Sequence, residues 1–187
     1  MTKPATRNNN SMADENKLKM SIEQMLNSDK TDRARVGVGE MFVGRAPKVI
    51  TTILGSCVGI VMHDPETKIG GIAHVMLDQA KDREGNPAKF ADTAVPELLK
   101  QMRAKGATRA RIISKIFGGA EMFNFNKSHF FASIGRKNID VVKEYLAKEG
   151  IPLVAEETGG KQGRSIEFST ETGMVAVRVN GAIIKTL

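Results

Sequence analysis

The chain has 187 residues, 41% of them hydrophobic, and carries 28 Lys and Arg against 21 Asp and Glu, a formal charge of +7. That size suits one domain with a real core. The single cysteine, Cys57, excludes an intramolecular disulfide and suits a reducing compartment. No apolar run approaches the roughly 20 residues of a membrane helix, and the start lacks an apolar signal core, so a cytoplasmic protein without membrane insertion is expected. The positive excess reads first as a solvated, mixed surface; it also suits an acidic protein target without identifying one. Nucleic acid is not the expected partner: there is no basic run, no Trp and only one Tyr to stack on bases.

Residues 1–33 are polar and biased, and read as a mobile tail. Within it, Ser21 to Leu26 has a capping-box pattern, with Gln24 three residues after Ser21. Residues 34–187 read as one domain. Val36 to Val43 is strand-like and studded with glycine, and Val49 to Leu54 is a second strand leading into Gly55-Ser56-Cys57. Val58 to Met62 and Ile69 to Leu77 are apolar strands around the turn residues Asp64-Pro65-Glu66-Thr67-Lys68. His63 reads as a solvated end residue of that hairpin. Gln79 to Lys89 reads as a surface loop. A helix capped by Asp92 or Thr93 runs to Lys105, with Pro96 in its first turn and Leu98, Leu99 and Met102 on its apolar face.

Arg109 to Phe117 is a strand ending in Gly118-Gly119. No Gly-Lys-Ser/Thr follows, so a nucleotide loop is rejected. Met122 to Phe131 is an unusually apolar loop, and Met122 and Phe123 are candidate partner-binding residues as well as candidate core. Ile134 to Glu149 is helical, with Ile139, Val142 and Leu146 on one face. Ile151–Glu156, Ser165–Phe168, Met174–Val179 and Ala182–Thr186 are closing strands, with turns at Thr170–Gly173 and at Asn180-Gly181. The class is α+β: a largely antiparallel or mixed sheet core, layered as a sandwich, with two main flanking helices.

The chemistry concentrates in the Cys57–His74 hairpin. The two residues are seventeen apart in sequence. A turn centred near Glu66 places Cys57 opposite about Val75, one step from His74. An imidazole beside a thiol takes its proton and leaves a thiolate nucleophile. Gly55 and Ser56 form a tight turn whose amides face a developing oxyanion. The plain reading of a lone cysteine among apolar residues is a small buried hydrophobe, and the two readings balance on the residues alone. Gly55 to Gly59 also fits the nucleophile-elbow pattern with cysteine for serine. That elbow must lead into a helix, whereas Val58 to Met62 reads as a strand. Three scattered histidines with one cysteine do not form a zinc set.

The motifs resemble those of the CheD family of chemoreceptor glutamine deamidases. The matching pieces are Thr51, Leu54–Cys57, Asp64-Pro65, Gly70–His74, Val75–Leu77, Ala91–Ala94 and Gly118–Phe123. Ile134-Gly135 with Asn138, Thr158–Gly160, Gly163–Ser165 and Thr172–Arg178 follow in order. They cover about residues 35 to 180. Departures are Asp78 where proline is usual, Lys137 where arginine is usual, and extra length at Phe125 to Phe131.

The resemblance implies a Cys57, His74, Thr51 triad. Strand alternation points Thr51 and Thr52 to opposite faces, and the resemblance selects Thr51. It implies deamidation of glutamine side chains on methyl-accepting chemoreceptors through a Cys57 thioester. A methylesterase side activity is implied too, and no metal or organic cofactor. The alternative is a non-catalytic interaction protein that regulates a CheC-type phosphatase of phosphorylated CheY.

Overall fold

The computed structural model describes residues 32–81, 85–121 and 129–187, with the side chains of 129–133 outside the description. Ten strands are described: β1 (Arg33–Arg35), β2 (Met41–Arg45), β3 (Val49–Leu54), β4 (Val58–Asp64), β5 (Ile69–Val75), β6 (Ile113–Gly118), β7 (Leu153–Thr158), β8 (Arg164–Ser169), β9 (Val175–Val179) and β10 (Ala182–Thr186). Two α-helices, α1 (Ala91–Ala104) and α2 (His129–Lys148), and short 3-10 turns at Pro87–Lys89 and Arg109–Arg111 complete the described elements. The strands form two five-stranded sheets, ordered β1-β3-β8-β9-β10 and β2-β5-β4-β6-β7. Most pairs are antiparallel, while β1 with β3 and β6 with β7 are parallel. This is the layered α+β class expected from the sequence.

The central hairpin β4–β5 is buried at every position. The reason is that both faces of the second sheet are covered. Val58, Ile60, Met62, Ala73 and Val75 pack with Leu98, Met102 and Val142 of the helices. Val61, Ile72 and Phe117 face the other way, onto Ile50, Leu54, Ile166 and Phe168 of the first sheet. Short β-branched runs suit such doubly covered strands.

Several sequence expectations shift. The hairpin pairs Val58 with Val75 and Gly59 with His74 in an unbroken register, so Cys57 continues opposite Met76 rather than Val75. The four residues after Asp64 form the loop, with Lys68 at φ 53°, and this centres the turn half a residue later than expected. Helix α1 begins at Ala91 with no side-chain cap, which places Pro96 inside it. Asp92 instead accepts the Ala80 amide at 3.0 Å. The second helix starts at His129 rather than Ile134. The Asn180-Gly181 turn is present, with both residues at positive φ.

His63 is not a solvated end residue. It is buried, its Nε2 lies 2.9 Å from the Thr170 carbonyl, and its ring meets Phe168 edge-on. A Cβ on Gly173, at φ +76°, would come within 2.6 Å of its Nδ1, so the Thr170–Gly173 turn needs glycine there.

Beside His63, Asp64 ties the hairpin to the chain before β6. Its Oδ2 accepts the Thr108 amide at 2.8 Å and Arg111 Nη2 at 2.9 Å. Its Oδ1 accepts the Glu66 amide and Arg111 Nε. Burial alone raises the carboxyl pKa, but the Arg111 hydrogen bonds and the Thr108 and Thr67 amides outweigh it. The group is held well below the usual carboxylate range. Asp64→Ala strands these donors. We expect it to lower stability by about 3 kcal/mol in urea unfolding, with Arg111→Ala comparably costly because it leaves the fully buried carboxylate without its cation.

Candidate active site

Strand β3 alternates about the first sheet. Ile50, Thr52 and Leu54 turn inward to the second sheet, while Ile53 is 62% exposed on the outer face. Thr51 shares that outer face: its hydroxyl contacts the Ala34 carbonyl at 3.4 Å, and it lines an open groove with Arg33, Arg35 and Glu167. Thr52 is 1% exposed, and its Oγ1 lies 2.8 Å from Nδ1 of His74. The structure therefore corrects the expectation for Thr51: Thr52 is the threonine that meets the imidazole. Alternation separated the two, but the outward positions Val49 and Ile53 are as apolar as the inward ones. Nothing local marked which face was buried.

The proton count of Thr52 sets the histidine tautomer. Its Oγ1 also lies 2.7 Å from the Val36 carbonyl, which only accepts. The single hydroxyl proton is thus given to Val36, and Thr52 accepts from Nδ1–H. His74 then carries its lone pair on Nε2. That nitrogen is buried and has no hydrogen-bond partner. Burial pushes the imidazole below its ordinary pKa, against the Val36 carbonyl and the Glu40 carboxylate, which favour the charged ring. His74 rests neutral, as a base.

Cys57 is half-buried and free. Continued alternation from Gly59, the partner of His74, puts the thiol on the imidazole's side of the sheet. Burial raises its pKa, so the resting sulfur is a thiol. The turn that bears it is clamped from the end of β6. Gly119 N donates to the Cys57 carbonyl and Ala120 N to the Gly55 carbonyl, both at 2.8 Å. Gly118, at φ +95°, lies so near that a Cβ would sit 2.3 Å from the Cys57 carbonyl oxygen. The Gly118-Gly119 pair thus holds the cysteine turn. Among the described residues, neither the Ser56 nor the Cys57 amide donates to a loop carbonyl. The following segment, β4, is a strand, so the nucleophile-elbow arrangement is absent.

Further supports were not assigned a role from sequence. Gly159 N donates to the Gly118 carbonyl and Glu121 N to the Gly160 carbonyl. Arg164 is buried and donates to the Glu157 carbonyl at 2.7 Å and to the Gly159 carbonyl, holding that loop in place. Asn138 of α2 is fully buried and donates to the Met76 carbonyl at 3.0 Å, opposite the cysteine turn. Their signal was the ordered Thr-Gly-Gly, Gly-Arg-Ser and Ile-Gly pieces, which name positions without saying what they touch. Met122 and Phe123 lie outside the described residues. Among the described residues no group of three His, Cys, Asp or Glu side chains is placed to hold a metal. No described helix is long and apolar enough to cross a membrane.

Residues 76–179 match the model of a chemotactic sensory transduction family. The chain is 43% identical over 159 residues to a Clostridium novyi protein named probable chemoreceptor glutamine deamidase CheD, spanning 83% of this chain and 98% of that one. A protein of the same name from Pyrococcus horikoshii is 46% identical over 147 residues, spanning 77% of this chain and 90% of its own. The chain belongs to the CheD family. Among solved structures it is similar to Bacillus licheniformis hypothetical protein YfiH, with TM-score 0.46 and 14% identity over 75% of this chain and 67% of that one.

Both buried histidines make stability pH-dependent. Burial, the largest cause in each, lowers the pKa of His63 and His74 from the ordinary 6.5. Above pH 6.5 both rings are neutral folded or unfolded, and this contribution is fully present. Below it the unfolded chain takes up protons that the folded chain refuses, so stability falls as pH drops. The unfolding free energy from urea titrations should decline as pH falls from about 6.5 to 5.5, by at most about 1.4 kcal/mol per pH unit for each histidine. His63→Gln should flatten part of the slope.

Proposed function

We propose that this chain deamidates glutamine side chains of methyl-accepting chemoreceptors through a thioester on Cys57. The observation that carries the reading is the Thr52–His74 hydrogen bond. It leaves Nε2 as the bare nitrogen of a neutral imidazole on the thiol's side of the sheet. The names of the relatives supply the substrate class.

The steps follow from these groups. Nε2 takes the Cys57 proton, and sulfur attacks the carboxamide carbon, forming the S–C bond and an oxyanion. The Ser56 and Cys57 amides donate to that oxyanion. His74 returns its proton to the amide nitrogen as the C–N bond breaks, and ammonia leaves. Water then attacks the thioester, giving its proton to His74. The S–C bond breaks, glutamate is released and the thiol regains its proton. A methyl ester enters the same route with methanol as leaving group. The apolar surroundings that keep Cys57 protonated at rest also confine the thiolate to the moment of attack.

Two expectations test this on a receptor fragment followed by mass spectrometry, where each conversion adds about one dalton. Cys57→Ala should fold and convert no glutamine; full activity in that variant ends the thiol mechanism. Thr52→Val keeps shape and strand propensity but loses the acceptor for Nδ1–H. Its turnover should fall about ten- to a hundredfold. Thr51→Val, on the outer face, should be near neutral. The reverse ranking in folded proteins would remove Thr52 from the site.

A further inference from the structure

The segment between β1 and β2 wraps His74. Its first residue, Val36, donates its amide to the Thr51 carbonyl at 2.9 Å and presents its carbonyl to Thr52. Its last residue, Glu40, accepts the His74 amide on its backbone carbonyl at 2.9 Å. Between them, Gly39 N donates to the His74 carbonyl at 2.9 Å. The backbone of His74 is thus held on both sides by this segment, and its ring by the Val36–Thr52 pair.

The turn that closes the segment depends on one side chain. Glu40 Oε2 accepts the Gly37 amide at 2.8 Å, alongside the Glu40 amide bond to the Gly37 carbonyl at 3.1 Å. A Cβ at Gly37 would come within 3.0 Å of that carboxylate. The carboxylate therefore sits under the turn. Its negative charge also favours the charged form of the His74 ring, after burial, which opposes it, and the Val36 carbonyl, which favours it. Among the described residues Glu40 is the charged group that acts on the ring; alternation puts the neutral Cys57 thiol on the same side of the sheet, and β3 offers the ring the uncharged Thr52.

We propose that Glu40 is a positioning residue for His74: its carboxylate folds the Val36–Glu40 turn around the imidazole and stabilises the positive charge that the ring carries during acyl transfer. This rests on the deamidase reading for its catalytic consequence, but not for its effect on the ring. The arrangement has a clear chemical use. Burial opposes imidazolium, yet the ring must hold the thiol proton between attack and loss of ammonia. A carboxylate on the turn that holds His74 offsets part of that opposition without touching substrate.

The experiment uses the full chain with Glu40→Gln and Glu40→Asp. Glutamine keeps an oxygen for the Gly37 amide and removes the charge; aspartate keeps the charge. NMR titration of the His74 ring reads the first effect without substrate. The midpoint should move to lower pH in Glu40→Gln and stay near wild type in Glu40→Asp. Turnover on a receptor fragment should fall about three- to tenfold in Glu40→Gln, with its acid limb displaced to lower pH and Tm retained. In the wild-type chain, salt raised to about 0.5 M should also lower the His74 midpoint, because it screens this carboxylate.

That last measurement stands even if a variant fails to fold. A His74 midpoint unmoved by salt, or unmoved in folded Glu40→Gln, overturns the role of Glu40. A wild-type chain that converts no glutamine while the midpoint moves as expected overturns the deamidase reading alone.

Discussion

One hydroxyl joins the two sheets at the site. Thr52 belongs to β3 of the first sheet and His74 to β5 of the second, and their side chains meet in the layer between. Because the hydroxyl has a single proton and the Val36 carbonyl takes it, the imidazole has no choice of tautomer. Every other feature of the site presupposes this contact. The sheets must pack closely enough for a 2.8 Å hydrogen bond, β3 must turn Thr52 rather than Thr51 inward, and the hairpin must deliver His74 in register.

The register is secured at the far end of the hairpin. Asp64 gathers Arg111, the Thr108 amide and the amide of its own turn, and His63 is held against the Thr170 carbonyl. These contacts lie at the end of β4 opposite Cys57. They matter to the site because a slip of one residue moves a strand's whole set of side chains to the other face. A slipped β5 would send His74 toward the helices and Val75 toward Thr52.

The cysteine turn is held by backbone rather than by side-chain charge. Gly119 and Ala120 amides fasten it, Gly159 fastens Gly118, and Arg164 fastens the loop that carries Gly159. From the helix side, Gly135 lies so close to Gly119 that a Cβ there would meet the Gly119 carbonyl oxygen at 2.7 Å. Such rigid backbone places donors at fixed positions at little reorganisation cost. Among the described residues no cation lowers the pKa of the thiol, and burial raises it. The proposed thiol chemistry therefore needs a well-oriented base, and the Thr52–Val36 pair fixes the His74 ring.

The sequence by itself determined the α+β class and the β4–β5 hairpin that carries Cys57 at one end and His74 on its return strand. These follow from local chemistry: β-branched runs, a Pro-containing turn and a seventeen-residue spacing that a hairpin folds back on itself. The ordered motifs also carried the family. Local chemistry did not determine which of two adjacent threonines faces the imidazole. Both faces of β3 carry apolar residues, so only the packing of one sheet on the other distinguishes inside from outside. Nor did it determine that Val36 and Glu40 enclose His74, or that His63 is buried, or that Gly118-Gly119 clamps the cysteine turn. Each is a contact between segments distant in sequence, decided by how the layers stack rather than by what any one stretch prefers.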